Sequence, residues 1–336
     1  MIKSMKELKF IDIGSNLTDL MFQGIYNDKK QHDSDLEIVI KRAIKGGLDK
    51  ILITAGSYQE TVEALKICEE LDPKCELLFT TVGVHPTRTK EFLCNDCNKK
   101  TDEELDINCK DCKVHSDDYL KRMKDLIRMN SCRIKAIGEF GLDSDRLHFS
   151  SMKIQEKYFE KQFELLEEFC LPMFLHIRGD QDCYSKFVRI INEKKSLWIK
   201  RGGVAHSFNG NLEQLKMILE MDLEIGVNGC SLKTQDNLNI VENIPLDKLH
   251  IETDSPWCDI KPTHSSYHLI ETHFPQVNKP SKWEEDKLIK GRNEPIKIIQ
   301  VAEILFKIYS NNSKFSFNQF IDEIYKNTFK MYFKAI

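Results

Sequence analysis

Glu139 stands at the end of an apolar run, Ile134 to Ile137, within KAIGEFGLD (Lys135–Asp143). A buried carboxylate is costly unless a cation or strong donors meet it, so the position asks for a partner. Other apolar runs end the same way. The polar residues that close them are Asp12 and Asn16, His85, Glu139, His176, His206 and Asp254. Two histidines, a glutamate and an aspartate drawn together from separate strands form a ligand set for a divalent metal ion. Glu139, His176, His206 and Asp254 are therefore the expected metal ligands. Glu252, two residues before Asp254 and on the same face of an extended chain, is expected beside them as a supporting carboxylate.

Positioning those residues requires a particular scaffold. Eight β-type runs recur along the chain: KFIDIG (9–14), KILITAG (50–56), LLFTTVGVHP (77–86), IKAIGE (134–139), PMFLH (172–176), GGVAH (ending at His206), LEIGVNG (223–229) and KLHIETD (248–254). Amphipathic segments with helical spacing alternate with them, such as Tyr158, Phe159, Phe163, Leu166 and Cys170. This alternation predicts a parallel sheet, and eight strands allow closure into a TIM-type (β/α)8 barrel whose catalytic rim collects all the strand ends. A doubly wound open sheet is the alternative, but no G-x-G-x-x-G follows the first strand. The region from residue 296 onward has helical periodicity and is apolar enough to pack on the barrel.

The 336 residues, 41 % apolar and 30 % charged, have a globular composition and read as one domain over 1–336. A net charge of −4 gives no overall basic surface for nucleic acid, so any polyanion must be met locally. No run reaches the roughly 18 apolar residues of a membrane span, and the opening residues lack a signal-peptide core. Eleven cysteines, mostly single within apolar segments, suit free thiols in a reducing compartment. The expectation is an intracellular protein, cytoplasmic or nuclear, with no membrane association and no obligatory protein partner.

The pieces FIDIGSNLTD, TVGVHPTR, AIGEFGLD, PMFLHIR, VAHSFNG, GVNGCSLK, IETDSPW and RNEP, in this order from residue 10 to residue 295, resemble the TatD family of metal-dependent deoxyribonucleases. The resemblance implies a TIM-type barrel that hydrolyses DNA phosphodiester bonds, as a 3′-to-5′ exonuclease preferring single strands. It assigns the metal positions to Glu139, His176, His206 and Asp254, and a phosphate contact to His85. The chain departs from the family at DIGSN, where Gly14 and Asn16 replace the histidines of D-x-H-x-H. One ion is then expected to be well held by His176 and His206, with a second depending on Glu139, Asp254, Asp12 and the substrate. Mg2+ is the expected ion, with Mn2+ and Zn2+ as alternatives. The second departure, Phe140 in place of a cysteine, should affect packing more than chemistry.

In this reading Glu139 and Asp254 are catalytic, Asp254 taking a proton from the attacking water. His85, Arg178 and Arg292 are candidate phosphate contacts, and Trp257 and Phe208 candidate stacking faces for bases. A same-superfamily hydrolase of a small amide, lactone or ester is the alternative function. A catalytically inactive nucleic-acid binder is a third.

One segment lies outside the resemblance. Residues 94–113 carry two C-x-x-C pairs, Cys94/Cys97 and Cys109/Cys112, separated by eleven residues. Paired knuckles of this kind hold structural zinc. Following the third strand, the insertion is expected on the catalytic rim, either as a zinc-clipped loop or as a polar loop with incidental cysteines.

Overall fold

The structure is a computed structural model that describes residues 8–101, 104–106, 108–310 and 315–334. Eight parallel strands form the central sheet in sequence order: β1 (Phe10–Ser15), β2 (Leu48–Ile53), β3 (Leu78–Val82), β4 (Ile134–Asp143), β5 (Met173–Arg178), β6 (Gly203–Ala205), β7 (Glu224–Val227) and β8 (Leu249–Ile251). Just beyond β8 the circle closes on β1, where Asp254 N donates to Gly14 O (2.7 Å) and Asn16 N to Ser255 O (2.7 Å). The architecture is the expected TIM-type barrel.

Helices cover the outside, and the sequence shows why they form. Helix α1 (Leu36–Lys45) turns Leu36, Val39, Ile40 and Ala43 onto the strands, and α2 (Tyr58–Leu71) is capped by Ser57 accepting from Glu60 N. Helix α3 (Lys110–Met129) buries Tyr119, Leu120, Met123 and Ile127, and α4 (Met152–Gln162) buries Ile154, Tyr158 and Phe159. The expected C-terminal helices are α5 (Ile298–Ser310) and α6 (Phe317–Tyr332). Of the loop between them, 311–314 lie outside the described residues, as do residues 1–7 of the chain opening. Helix α6 closes the barrel floor, its Met331 and Tyr332 joining Ile11, Ile13, Leu52, Phe79, Phe174 and Val204 in the interior apolar cluster. Among the described residues no helix is long and apolar enough to cross a membrane.

β3 and β8 are shorter than the expected 77–86 and 248–254, and β4 runs furthest beyond its expected end. β4 does not stop at Glu139 but continues to Asp143, with an irregularity in its pairing to β5 between Gly138 and Phe140. A break in alternation there lets Phe140 pack outward on Phe159 and Phe163 (ring centroids 5.3 and 5.5 Å) while Glu139 faces the rim cleft. Phe140 thus has the packing role expected of it.

Candidate metal centre

The strand ends converge on a cleft of about 890 Å3 whose walls include Asn16, His85, Glu139, His176, Arg178, His206, Asp254 and Trp257. At its floor Glu139 Oε1 lies 2.7 Å from His176 Nδ1 and 2.6 Å from His206 Nε2. His85 Nε2 is 3.5 Å from the same oxygen. Burial would raise the Glu139 carboxyl, but His206, His85 and His176 together outweigh it and hold the group well below its usual range. Burial likewise pulls against His206, yet Glu139 and Glu252 push it well above the ordinary imidazole value.

The donors of Glu139, His176 and His206 all lie within 4.8 Å of one another, one carboxylate and two imidazoles. Two orphaned atoms test whether a cation fits there. His206 Nδ1 and Glu252 Oε2 are both buried without a hydrogen-bond partner, 3.5 Å apart. If His206 Nε2 gives its lone pair to a cation, Nδ1 carries the proton and faces that carboxylate, the usual support for a metal-bound imidazole. Glu252 is itself fixed, accepting from Ser207 N (2.5 Å) and Asn228 Nδ2 (3.1 Å). The residues fit a divalent ion, and Glu252 lies directly behind His206.

Asp254, expected as a fourth ligand, lines the same cleft from beyond β8 but stands outside the donor group of Glu139, His176 and His206. Asn16 Nδ2 donates to its Oδ1 at 2.8 Å, and Cys258 Sγ lies 3.2 Å from its Oδ2. Burial pushes its carboxyl up to about 6. His85 is oriented by the turn that follows it: Thr87 N donates to Nδ1 at 3.1 Å, leaving the proton on Nε2, which faces the cleft floor. Burial lowers this imidazole to about 3, so it is neutral at physiological pH.

Several expectations need correction. Arg292 does not face the cleft; it is buried, with Nη1 and Nη2 donating to Asp35 (2.8 and 2.6 Å) and Nη2 to Glu294 (2.7 Å). An arginine neutralised there cannot reach a phosphate. Asp12 also turns away from the rim, its carboxylate accepting from Gly14 N, Thr253 N and Thr253 Oγ1 (3.2, 2.9 and 2.5 Å), so it stitches β1 to the end of β8 and holds no ion. Phe208 is buried in the core, whereas Trp257 is half exposed on the cleft.

Sequence reasoning missed Asp143. It lies at the true end of β4, its Oδ2 3.2 Å from His176 Nε2, and its donors group with those of His85 and His176. Arg88, Arg146 and Phe149 also line the cleft unforeseen. Alternation along β4 beyond Gly141 was the signal that could have found Asp143. No residue of the 94–113 insertion lines the cleft among the described residues, although the segment does follow β3.

A family model described as TatD related DNase matches residues 11–332. The chain belongs to the TatD-related DNase family. The family lies in the metallo-dependent hydrolase superfamily, and its deoxyribonucleases act on phosphodiester bonds. Among them, a deoxyribonuclease Tat-D of Schizosaccharomyces pombe is 35 % identical over 97 % of this chain and 96 % of its own length. A 3′-5′ ssDNA/RNA exonuclease TatD of Rahnella is 31 % identical over 70 % of this chain and 79 % of its own. A TatD family hydrolase from Entamoeba histolytica superposes with a TM-score of 0.83 at 33 % identity, covering 97 % of this chain and 98 % of that one.

Proposed function

We propose that this TatD-family chain is a divalent-metal-dependent deoxyribonuclease that removes nucleotides from the 3′ end of single-stranded DNA. The observation that carries this reading is the meeting of Glu139 Oε1 with His176 Nδ1 and His206 Nε2 at the floor of an open cleft. The deoxyribonuclease and ssDNA/RNA exonuclease relatives supply the substrate class. An intracellular place, cytoplasmic or nuclear, accords with that substrate.

Glu139, His176 and His206 would hold the ion, with Asp254 lining the same cleft. When bound, a divalent cation polarises the phosphoryl oxygen and lowers the pKa of water from 15.7 towards about 7. The chain's own groups do the rest. His85 donates through Nε2–H to a non-bridging oxygen of the phosphate, its tautomer set by Thr87. Asp254, held at one oxygen by Asn16, accepts the proton of the attacking water; a carboxylate raised to about 6 is a better base near neutrality than an ordinary one. Arg178, paired loosely with Asp145 (3.4 Å), can swing its fork onto a neighbouring phosphate. Trp257 offers a stacking face to an unpaired base.

Mg2+ is the ion we propose; the two imidazoles keep Mn2+ and Zn2+ as rivals. The test uses end-labelled single- and double-stranded DNA with and without chelator, then a metal titration of the stripped enzyme. Shortening from the 3′ end that disappears with chelator and returns with metal supports the reading. Cleavage in excess chelator, or turnover only of small esters and amides, overturns it.

A further inference from the structure

We propose that Cys94, Cys97, Cys109 and Cys112 bind one structural zinc ion that clips helix α3 to the turn carrying His85 and Arg88. The four sulfurs all lie within 4.8 Å of one another. Cys94 and Cys112 Sγ are 3.4 Å apart, and Cys94 N donates to Cys112 Sγ at 3.3 Å. Zinc–sulfur bonds of about 2.3 Å in a tetrahedron put neighbouring sulfurs about 3.8 Å apart, close to the spacing held here. A disulfide would need about 2.05 Å, and all four thiols are free.

The local chain builds this arrangement from two unlike pieces. Cys94 precedes and Cys97 lies within the single turn Asn95–Asn98, while Cys109 caps and Cys112 lies in the first turn of α3. Cys97 and Cys112 are buried, and Leu93 and Leu105 add a little apolar cover. Four sulfurs turned towards one point through a mostly polar segment are better explained by a ligand than by burial. The hydroxyl of Tyr158, whose ring stacks on Phe92 (4.8 Å), is also buried without a hydrogen-bond partner. Binding is balanced as four thiols and Zn2+ giving a tetrathiolate of net charge −2 and four protons; Lys99, Lys100, Lys110 and Lys113 surround it in the sequence.

The site has a mechanical consequence. The turn Pro86–Phe92 starts at His85 and ends just before Cys94. From α3, Tyr119 Oη donates to Glu91 Oε2 (2.7 Å) and His115 Nε2 lies 3.0 Å from Glu91 O. A zinc at the base of α3 completes this attachment and holds the His85–Arg88 wall of the cleft in place, in a segment otherwise too polar to hold itself.

The experiment measures zinc by mass spectrometry on the purified full chain after mild chelation, for wild type, Glu139→Gln and the Cys97→Ser/Cys112→Ser double variant. Zinc replaced by Co2+ in the wild type is examined in parallel by absorption. Expected are about one zinc per chain in wild type and Glu139→Gln, loss of that zinc in the cysteine variant, and the intense sulfur-to-cobalt charge-transfer bands of a tetrahedral thiolate site. The cobalt spectrum decides even if the cysteine variant does not fold. Equal zinc in wild type and cysteine variant, iron in place of zinc, disulfides among these cysteines, or a cobalt spectrum without thiolate bands overturns the proposal.

Discussion

Replacing Arg292 by methionine separates a structural arginine from a substrate contact. The guanidinium is buried and donates to Asp35 at both Nη atoms, to Glu294 (2.7 Å) and to Met21 O (3.2 Å). Methionine fills the volume but leaves two buried carboxylates short of donors. Glu294 keeps Arg42 Nε (3.0 Å) and Asp35 keeps Trp283 Nε1 (2.9 Å), so neither is left bare. Breaking a buried ion pair typically costs about 3–5 kcal/mol. With an unfolding entropy of about 2.1 cal/mol/K per residue, a chain of this length loses about 0.7 kcal/mol per degree, so Tm should drop by about 4–7 °C. Thermal melting by circular dichroism reads the cost, and kcat/KM on single-stranded DNA, measured well below the melt, should stay within about twofold of wild type. Loss of a charge-assisted phosphate contact would instead lower kcat/KM by about 10- to 150-fold, the equivalent of about 1.5–3 kcal/mol. An unchanged Tm with such a kinetic loss would refute the structural assignment of Arg292.

Other outcomes follow from the same geometry. Glu252→Gln removes the carboxylate facing His206 Nδ1 and should weaken metal affinity or activity about 10- to 100-fold with the fold intact; calorimetric metal titration checks it, and wild-type affinity would contradict the supporting role. Burial pushes the Asp12 carboxyl up to about 8, against the pull of its bonds to Thr253 and Gly14. For an acid raised in the folded state the native chain keeps a proton that the unfolded chain releases, so this share of stability is whole below about pH 4 and lost as pH rises to about 8. Urea unfolding between about pH 5 and pH 8 should therefore show a decline that Asp12→Asn flattens, and an equally steep decline in the variant would count against it. Trp257→Ala should raise KM for single-stranded DNA by about 5- to 150-fold, corresponding to about 1–3 kcal/mol of stacking, without lowering Tm; an unchanged KM removes Trp257 from the binding surface.

The barrel was legible because its signal is repetitive. Each strand is an apolar run bounded by a polar residue, and eight of them leave few topologies. The meeting of Glu139, His176 and His206 was legible for the same reason, since strand ends share one rim. What stayed hidden depends on directions that spacing does not encode. Asp12 closes an apolar run in the sequence, yet it lies within β1 and its carboxylate turns onto Thr253. Arg292 looks like an anion anchor until its buried partner Asp35, 257 residues away in the chain, is seen. Asp143 was passed over because the apolar run closes on Glu139 in the sequence, whereas β4 runs on through Gly138 and Gly141 with positive φ at each. Phe208 and Trp257 follow His206 and Asp254 at similar distance, and only the packed fold decides which one is exposed.

The most direct test of the account is where a divalent ion sits. Crystals soaked in Mn2+ and measured at the manganese edge should give an anomalous peak within bonding distance of Glu139, His176 and His206, and Glu139→Gln should lose both that peak and chelator-sensitive DNA cleavage. A peak away from these three side chains, or a folded Glu139→Gln enzyme that cleaves DNA at the wild-type rate, would contradict it.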